Sequence, residues 1–352
     1  MYADEKAHRM RIITVVIKKG GCGKTTTAVN LAAALAEQQK NVLLMDLDPQ
    51  AHATLGLGHD PDGLKFTMYE AITHPQIKPA DFLLPTKRDR LTLAPANVIL
   101  ASADVELARA AGREWIMSDL LRSVQDRFDL CVIDCPSSFG ILTIGALIAS
   151  ADVIVPAQAR YYSMEGLRRV METIDLIRER FHTSAANNLG ILLTLVEDRT
   201  TLGRQIQSQI RGLFGAMVFR TVIHNSIRLC EATSAGESIL EYAPGSRSAL
   251  EYRALAAEVL GNVPPVGTTG PRTSRRGILR DLSELFGRRP AEVRPTTRPP
   301  SPAPAGPPSE GDRIEIEALY DLDLESETAT PAMDRIPFFA GSSTLLESET
   351  AP

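Results

Sequence analysis

The feature that most constrains this fold is a glycine-rich segment, Lys-Lys-Gly-Gly-Cys-Gly-Lys-Thr at residues 18–25, which lies between a strand pattern and a helix pattern. β-Branched residues fill positions 12–17, and an alanine-rich stretch predicts a helix over residues 25–37. Glycines let successive backbone N–H groups point at an anion, and the positive end of the following helix adds attraction. The segment predicts a phosphate-binding loop in which Lys24 contacts the β- and γ-phosphates and Thr25 ligates Mg²⁺.

The loop departs from the ordinary pattern G-x-x-x-x-G-K-S/T, since Lys18 replaces the first glycine and Lys19 directly precedes the glycine pair. A long cation at position 19 could contact a phosphate held by a neighbouring chain. A basic surface loop is the alternative, and further motifs in a fitting order make it less favoured.

Acidic residues follow two predicted buried strands. Residues 42–45 precede Asp46 and Asp48, and residues 130–133 precede Asp134. Because ligands of parallel α/β sheets bind at the carboxyl ends of the strands, these carboxylates are candidates for holding Mg²⁺. Aspartates that only cap a turn or a helix would look the same in isolation.

The order of these motifs resembles that of a known family, the ParA/Soj-type partition ATPases of the deviant Walker A group, which also includes the MinD-like cell-division ATPases. The likeness implies an α/β P-loop NTPase with a mostly parallel sheet flanked by helices. It spans residues 11–261 and rests on the segments KGGCGKTTT (19–27), VLLMDLDPQ (42–50), VIDCP (132–136), YYSMEGL (161–167), FRTVI (219–223), IRL (227–229) and ILEY (239–242).

The resemblance implies an ATP-dependent dimer with weak ATPase activity. In it, Lys19 contacts the partner's nucleotide, Lys24 and Thr25 bind their own, and Asp48 positions the attacking water. Thr25, Asp48 and Asp134 are the expected Mg²⁺ ligands. The expected nucleotide-binding residues are Lys19, Gly20, Gly21, Cys22, Gly23, Lys24, Thr25, Thr26 and Asn225.

One departure from the family lies beside the expected adenine site. The family usually has Ile-Pro-Arg-Asn where this chain has Ile223, His224, Asn225 and Ser226. Asn225 can hydrogen-bond the adenine edge, whereas the missing proline leaves the loop less constrained. Nucleotide preference or affinity is therefore expected to differ from the family's norm.

Five arginines are candidates for contacting DNA, which the resemblance implies is bound without sequence preference. Such binding needs cations clustered on one face, because release of counterions from phosphates supplies its free energy. Arginines on helices are ordinarily just solvated, so the resemblance carries most of this prediction. The candidates are Arg199, Arg211, Arg220, Arg228 and Arg247.

The composition indicates a cytoplasmic protein, which the resemblance further places at the nucleoid. The chain has 352 residues, 44% of them hydrophobic, and four cysteines without disulfide spacing. No apolar stretch approaches the roughly 20 residues that span a bilayer, and no secretion signal is evident. Cys131 and Cys135 have the wrong spacing for a C-x-x-C metal site, and Cys22 and Cys131 are expected to be small apolar packing residues.

The rest of the ATPase domain alternates strand and helix patterns, as a parallel sheet requires. An irregular insert with several prolines, residues 58–113, interrupts this alternation and is a candidate partner-facing surface. The remaining predicted strands are residues 153–155, 189–195 and 218–223, and the remaining predicted helices are residues 164–180, 201–214 and 246–260.

The predicted domains are a flexible N-terminus (1–10), the ATPase domain (11–261) and a disordered tail (262–352). Residues 272–298 carry eight arginines against three acids, whereas residues 309–352 carry two arginines against eleven. Charge blocks with so few apolar residues cannot offset the entropy lost on ordering.

Within the tail, residues 277–289 form an amphipathic helical pattern flanked by arginines. A membrane-targeting helix would have this pattern, but Asp281 and Glu284 would weaken its attraction to anionic lipid, so docking to a partner or to the ATPase domain is favoured. Its apolar face consists of Ile278, Leu282, Leu285 and Phe286.

Three functions remain open at this stage. The favoured one is a DNA-binding positioning ATPase that segregates a chromosome, plasmid or protein cargo, with hydrolysis stimulated by a ParB-like or other cargo adaptor. The second is a membrane-recruited relative, and the third is a metabolic or iron–sulfur enzyme. The lack of a suitable cysteine pair disfavours an iron–sulfur cluster.

Overall fold

The computed structural model describes residues 10–158, 163–181 and 188–261. The tail with its amphipathic pattern, the N-terminus before residue 10, and Tyr161 and Tyr162 lie outside the described residues. The domain boundaries proposed above therefore stay predictions.

The described chain is built on an eight-stranded sheet with the order β3-β4-β2-β5-β1-β6-β7-β8. Every pairing is parallel except that of β3 with β4. This arrangement confirms the predicted α/β class with a mostly parallel sheet. The strands are β1 (Arg11–Val15), β2 (Val42–Asp46), β3 (Leu84–Pro85), β4 (Leu91–Ala94), β5 (Leu130–Asp134), β6 (Asp152–Gln158), β7 (Asn188–Val196) and β8 (Val218–His224).

Helices connect the strands and cover both faces of the sheet. The α-helices are α1 (Lys24–Glu37), α2 (His52–Leu55), α3 (Met68–Thr73), α4 (Pro79–Phe82), α5 (Ala103–Leu107), α6 (Ile116–Val124), α7 (Ile141–Ala149), α8 (Ser163–Phe181), α9 (Thr201–Phe214), α10 (Ile227–Ser234), α11 (Ile239–Tyr242) and α12 (Arg247–Val259). Short 3₁₀ helices cover Pro61–Gly63, Val98–Ser102, Arg113–Trp115, Gln125–Arg127 and Gly215–Met217.

The insert at residues 58–113 is more regular than the sequence indicated. It contains the expected short helices, but it also supplies β4, which pairs with β2 from Val42–Leu91 to Met45–Ala94. The sequence predicted short helical patterns here, and β4 is a strand that it did not predict. Four residues followed by Pro95 give too short a pattern for periodicity, and only pairing with a buried neighbour makes the segment a strand.

Two hydrophobic cores lie on opposite faces of the sheet, because successive strand residues point to opposite sides. In β2, Leu43 and Met45 join one core, whereas Val42 and Leu44 join the other. The second core also contains α1 and α12, and α1 is buried along nearly its whole length. Its alanines let the helix pack closely on the sheet, and this packing holds the loop before α1 in place.

Candidate nucleotide-binding site

The glycine-rich loop lies between the end of β1 and the start of α1, as the sequence predicted. Gly21 and Gly23 have φ angles of 70° and 81°, in the left-handed region that glycine adopts without strain. Gly23 is the N-cap of α1 and has no side chain to occupy the first-turn N–H groups. Those groups have no carbonyl partner within the helix and can bind an anion.

Two side chains from neighbouring strands hold this loop by its carbonyl groups. Gln158 Nε2 donates to the carbonyl of Gly21 at 2.7 Å, and Thr194 Oγ1 donates to that of Cys22 at 2.9 Å. In a trans peptide the N–H points opposite to the C=O. The two bonds therefore direct the N–H groups of Cys22 and Gly23 away from β6 and β7, toward the space a phosphate would occupy.

The contacts of Gln158 and Thr194 with the loop were not predicted from the sequence. The available signal was weak: each is a polar residue near the carboxyl end of a buried strand, the edge at which parallel sheets bind ligands. The residues of the phosphate loop differ in their exposure to solvent. Gly20 and Gly21 are exposed, Cys22 is buried, and Lys19, Thr25 and Thr26 are half-buried.

Lys24 is 7% exposed and reaches across the loop toward the segment after β5. Its Nζ donates to Ser137 Oγ at 2.8 Å and to the carbonyl of Lys19 at 3.3 Å. Both acceptors are neutral, so the ammonium group lacks a hydrogen-bonded counter-charge. Burying a cation in this way is unfavourable unless an anion completes the site, which is the property a phosphate-binding lysine needs.

Asp134 lies at the carboxyl end of β5 and is fully buried. Burial raises the pKa of Asp134 well above its usual range, and the nearby charge of Asp46 raises it further, against a smaller lowering by Thr25. Neither carboxylate oxygen has a hydrogen bond of ordinary geometry. An orphaned buried carboxylate beside Thr25 fits a bound cation, so the residues present fit Mg²⁺.

Asp46 has a different role from the other two acids. Its Oδ2 accepts the N–H and the hydroxyl of Thr54, each at 2.8 Å, and its Oδ1 accepts the N–H of Asp48 at 3.1 Å. Burial raises the pKa of Asp46 to about 6, although these hydrogen bonds oppose the shift. Asp46 thereby fixes the turn that presents Asp48, whose own Oδ1 accepts the N–H of Gln50 at 3.0 Å.

A divalent ion at this site would draw on a mixed set of ligands. Within the described residues, no three His, Cys, Asp or Glu side chains are arranged to hold a metal ion on their own. Magnesium commonly keeps several waters and binds through one or two protein groups plus phosphate oxygens. Thr25 and Asp134, with Asp48 nearby, suit that pattern.

Asn225 is exposed and follows the end of β8. Its backbone N–H donates to the carbonyl of Val196 at 3.2 Å, which holds the segment against β7. Asn225 therefore lies at the same strand-end edge as the loop, two strands away from β6. The position is consistent with the predicted base contact, which stays a prediction.

The five candidate arginines lie on β8, on the helices α9, α10 and α12 and in the segment between β7 and α9, and together we call them the arginine edge. Arg199, Arg220 and Arg228 are exposed. Arg211 instead donates to the carbonyls of Phe219 and Arg220, at 3.0 and 3.3 Å. These two hydrogen bonds give Arg211 a structural role, and the contact of the five arginines with DNA stays a prediction.

Arg247 is likewise engaged within the chain. Its Nε donates to Glu251 Oε1 at 2.8 Å, and one of its terminal nitrogens lies 2.6 Å from His224 Nε2.

Of the described helices, none is long and apolar enough to span a bilayer.

Comparison with known proteins identifies the relatives of this architecture. A family model described as an AAA domain matches residues 10–187. The sporulation initiation inhibitor protein Soj of Bacillus subtilis is 40% identical over 252 residues, covering 72% of this chain and 99% of Soj. The chromosome partitioning protein ParA of Myxococcus xanthus is 39% identical, covering 72% of this chain and 89% of the relative.

Among solved structures, a cobyrinic acid a,c-diamide synthase from Mycobacterium smegmatis with a bound ATP analogue and magnesium superposes with a TM-score of 0.61. It is 34% identical and covers 71% of this chain and 94% of its own length. The septum site-determining protein MinD of Pyrococcus horikoshii, complexed with Mg-ADP, superposes with a TM-score of 0.58. It is 23% identical and covers 71% of this chain and 96% of its own length, so the likeness shows the shared fold alone.

Proposed function

The chain belongs to the ParA/Soj family of chromosome-partitioning ATPases, and from this premise we propose that it is an ATP-driven dimeric switch that binds DNA and positions a cargo. It is a P-loop ATPase whose cofactors are ATP and Mg²⁺. The 40% identity over 99% of the length of Soj supports a positioning role. Non-specific DNA binding, dimerisation and slow turnover are the finer parts of the proposal.

The proposal rests on two features of one site: a phosphate loop whose N–H groups are available to an anion, and the buried carboxylate of Asp134, which accepts no hydrogen bond of ordinary geometry. The loop N–H groups and Lys24 hold the phosphates, and Thr25 and Asp134 hold Mg²⁺. The metal ion, when bound, neutralises charge that develops on the phosphate oxygens. Asp48, held in its turn by Asp46, orients the attacking water toward the γ-phosphate.

Dimerisation is proposed to depend on Lys19. Its carbonyl already bonds the ammonium of Lys24, so the backbone at position 19 is fixed while the side chain is half-buried at the loop surface. A cation that reaches the partner's nucleotide stabilises the dimer most when a γ-phosphate is present. ATP should therefore favour the dimer and ADP the monomer.

DNA binding is proposed to involve the exposed arginines of the arginine edge, Arg199, Arg220 and Arg228. Arg199 and Arg228 are exposed, so contacts from them to DNA phosphates would be salt-sensitive and independent of sequence. A ParB-like or other cargo adaptor is the proposed stimulator of hydrolysis. This proposal places the protein in the cytoplasm, on the nucleoid.

The test is the oligomeric mass measured by light scattering with Mg²⁺ and either ATP or ADP. The variant Asp48→Ala should bind ATP without hydrolysing it and should persist as a dimer, whereas adding Lys19→Ala should return it to a monomer. Lys18→Ala is the matched control, because it removes the same charge from the adjacent position. Equal dimerisation of the Lys19 variant would refute the role of Lys19, and equal loss in both variants would assign the effect to loop charge in general.

The membrane alternative rests on residues 277–289, which lie outside the described residues. Liposome sedimentation with ATP tests it: pelleting that disappears on Leu282→Glu and Phe286→Glu would support a membrane contact. Recovery in the supernatant at every lipid composition would leave docking to a protein as the role of this segment.

A further inference from the structure

A four-residue ionic cluster lies at the junction of β8, α12 and the segment after β7. The His224 side chain is 11% exposed and lies between two carboxylates: its Nδ1 is 2.6 Å from Glu251 Oε1, and its Nε2 is 2.6 Å from Asp198 Oδ2. The backbone N–H of His224 also donates to Glu251 Oε2 at 3.0 Å. The ring is thus held from both ends by groups on two different elements.

The second ring nitrogen has two competing neighbours. A terminal nitrogen of Arg247 lies 2.6 Å from the same Nε2 and 3.6 Å from Asp198 Oδ2. A protonated Nε2 donates to the Asp198 carboxylate, whereas a deprotonated Nε2 can only accept a hydrogen bond, and Arg247 is the donor in reach. One proton therefore decides whether the ring binds Asp198 or Arg247.

The remaining groups around the cluster do not remove this choice. From α9, Arg204 donates to the backbone carbonyl of Asp198 at 2.6 Å, and Gln207 lies 3.3 Å from its Oδ1. The hydrogen bond from His224 is the largest cause that lowers the pKa of Asp198, followed by that from Gln207. When the His224 ring is protonated, the two cations of the cluster, His224 and Arg247, balance its two carboxylates. When the ring is neutral, the cluster carries a net charge of one negative unit.

The cluster joins two segments with proposed ligand contacts. Asp198 directly precedes the exposed Arg199, a proposed DNA contact, and His224 directly precedes Asn225, the proposed base contact. We propose that His224 is a positioning residue that, when protonated, holds Asp198 against α12 and keeps that carboxylate from competing with DNA phosphate for Arg199. This inference rests on the proposed DNA binding.

The proposal predicts that DNA affinity falls as pH rises, because the ring then gives up the proton that it donates to Asp198. Deprotonation releases the Asp198 carboxylate beside Arg199 and removes a positive charge, and both changes disfavour phosphate binding. One linked proton can change the dissociation constant by at most about tenfold per pH unit. We expect a several-fold weakening of DNA binding per pH unit where the ring loses its proton.

The experiment is fluorescence anisotropy with duplex DNA at constant salt, using full-length protein loaded with a slowly hydrolysed ATP analogue. His224→Gln and Asp198→Asn should each flatten the pH profile, the first because the ring is lost and the second because the competing carboxylate is lost. His59→Gln is the control, since His59 Nε2 lies 3.1 Å from the carbonyl of Pro85, in the insert. A profile that keeps the wild-type slope in both cluster variants would overturn the proposal.

A second measurement does not depend on DNA. Nuclear magnetic resonance should show the His224 ring nitrogens and the Arg199 amide titrating with one midpoint, and Asp198→Asn should uncouple the Arg199 amide from the ring. If wild type binds no DNA at any pH but this coupling is present, the DNA function fails and the positioning role stands. An Arg199 amide that does not respond to the ring's titration would refute the positioning role.

Discussion

Charged groups are satisfied in opposite ways at the strand-end site and at the arginine edge. Around the phosphate loop, Lys24 and Asp134 are buried at 7% and 0% exposure, yet the lysine donates only to neutral acceptors and the carboxylate accepts no hydrogen bond of ordinary geometry. At the arginine edge, Arg211 donates to two backbone carbonyls, and Arg247 donates to the carboxylate of Glu251.

This difference teaches how to recognise a ligand site among charged residues. Buried charges without a hydrogen-bonded counter-charge are unfavourable and are retained where a ligand completes the site. Charges that already have hydrogen-bonded partners hold the fold together, whereas Arg199 and Arg228 are exposed. The following predictions test this contrast between the two regions.

The largest effect is expected for Asp134→Asn. Losing the charge that holds Mg²⁺ should slow ATP hydrolysis by about 100- to 1,000-fold. Because an unpaired buried carboxylate is removed, the metal-free variant should unfold at the same temperature as wild type or a higher one. Steady-state phosphate release and thermal melts measure the two effects, with the exposed Asp119→Asn as control. A destabilised apo variant would mean that Asp134 already has a structural partner.

A pH dependence of metal-free stability is the next prediction. Burial raises the pKa of Asp46 to about 6 in the folded state, against about 3.9 when unfolded. The folded state thus holds the proton more tightly, so this stabilisation is fully present below about pH 4 and is lost as pH rises through about 6. Its size is of the order of 2–3 kcal/mol.

Isothermal titration calorimetry can detect the protons held by the buried neighbours Asp46 and Asp134, whose pKa values are both raised. Binding of Mg²⁺ and nucleotide near pH 6 should release protons, because the cation requires the ionised carboxylates. Titrations in two buffers with different ionisation enthalpies count the protons released, and Asp134→Asn should release fewer. Binding heats that are identical in the two buffers would contradict the raised pKa values of this pair.

A smaller effect is expected for the two residues that orient the phosphate loop. Gln158→Leu and Thr194→Val each remove one hydrogen bond to a loop carbonyl and should weaken ATP binding about fivefold, since such a bond contributes roughly 1 kcal/mol. Thr173→Val is the matched control, because its hydroxyl bonds only the carbonyl of Arg169 within α8. Titration with a fluorescent ATP analogue decides, and unchanged affinity would show that the loop keeps its shape unaided.

The smallest effect separates two arginines of the same edge. Arg228→Glu should weaken DNA binding and lower its salt dependence by about one unit of slope, without changing the melting temperature. Arg211→Glu should instead lower the melting temperature by a few degrees, since it loses two backbone acceptors on β8. Anisotropy over a salt series and thermal melts provide the comparison. Equal melting temperatures would remove the distinction between engaged and open arginines.

Much of the strand-end site could be predicted because its signals are local. The strand ending in glycines, the alanine-rich α1 and the acid after each buried strand lie within short windows of sequence. The predicted helix over residues 201–214 coincides with α9, because a strong amphipathic pattern forms it without distant help. By contrast, β4 was missed because its pairing with β2 joins segments about fifty residues apart.

The sequence by itself determined the alternation of strands and helices along most of the chain, the phosphate loop and the family, since these depend on residue types at fixed spacing. Only the tertiary structure decided which polar groups meet. It made Asp46 a structural acceptor for Thr54 and left Asp134 without one, and it brought Gln158 and Thr194 to the loop from two other strands. It also placed His224 between two carboxylates. Contacts of this kind depend on how strands are ordered in the sheet, and strand order is a property of long-range packing that no local window of sequence contains.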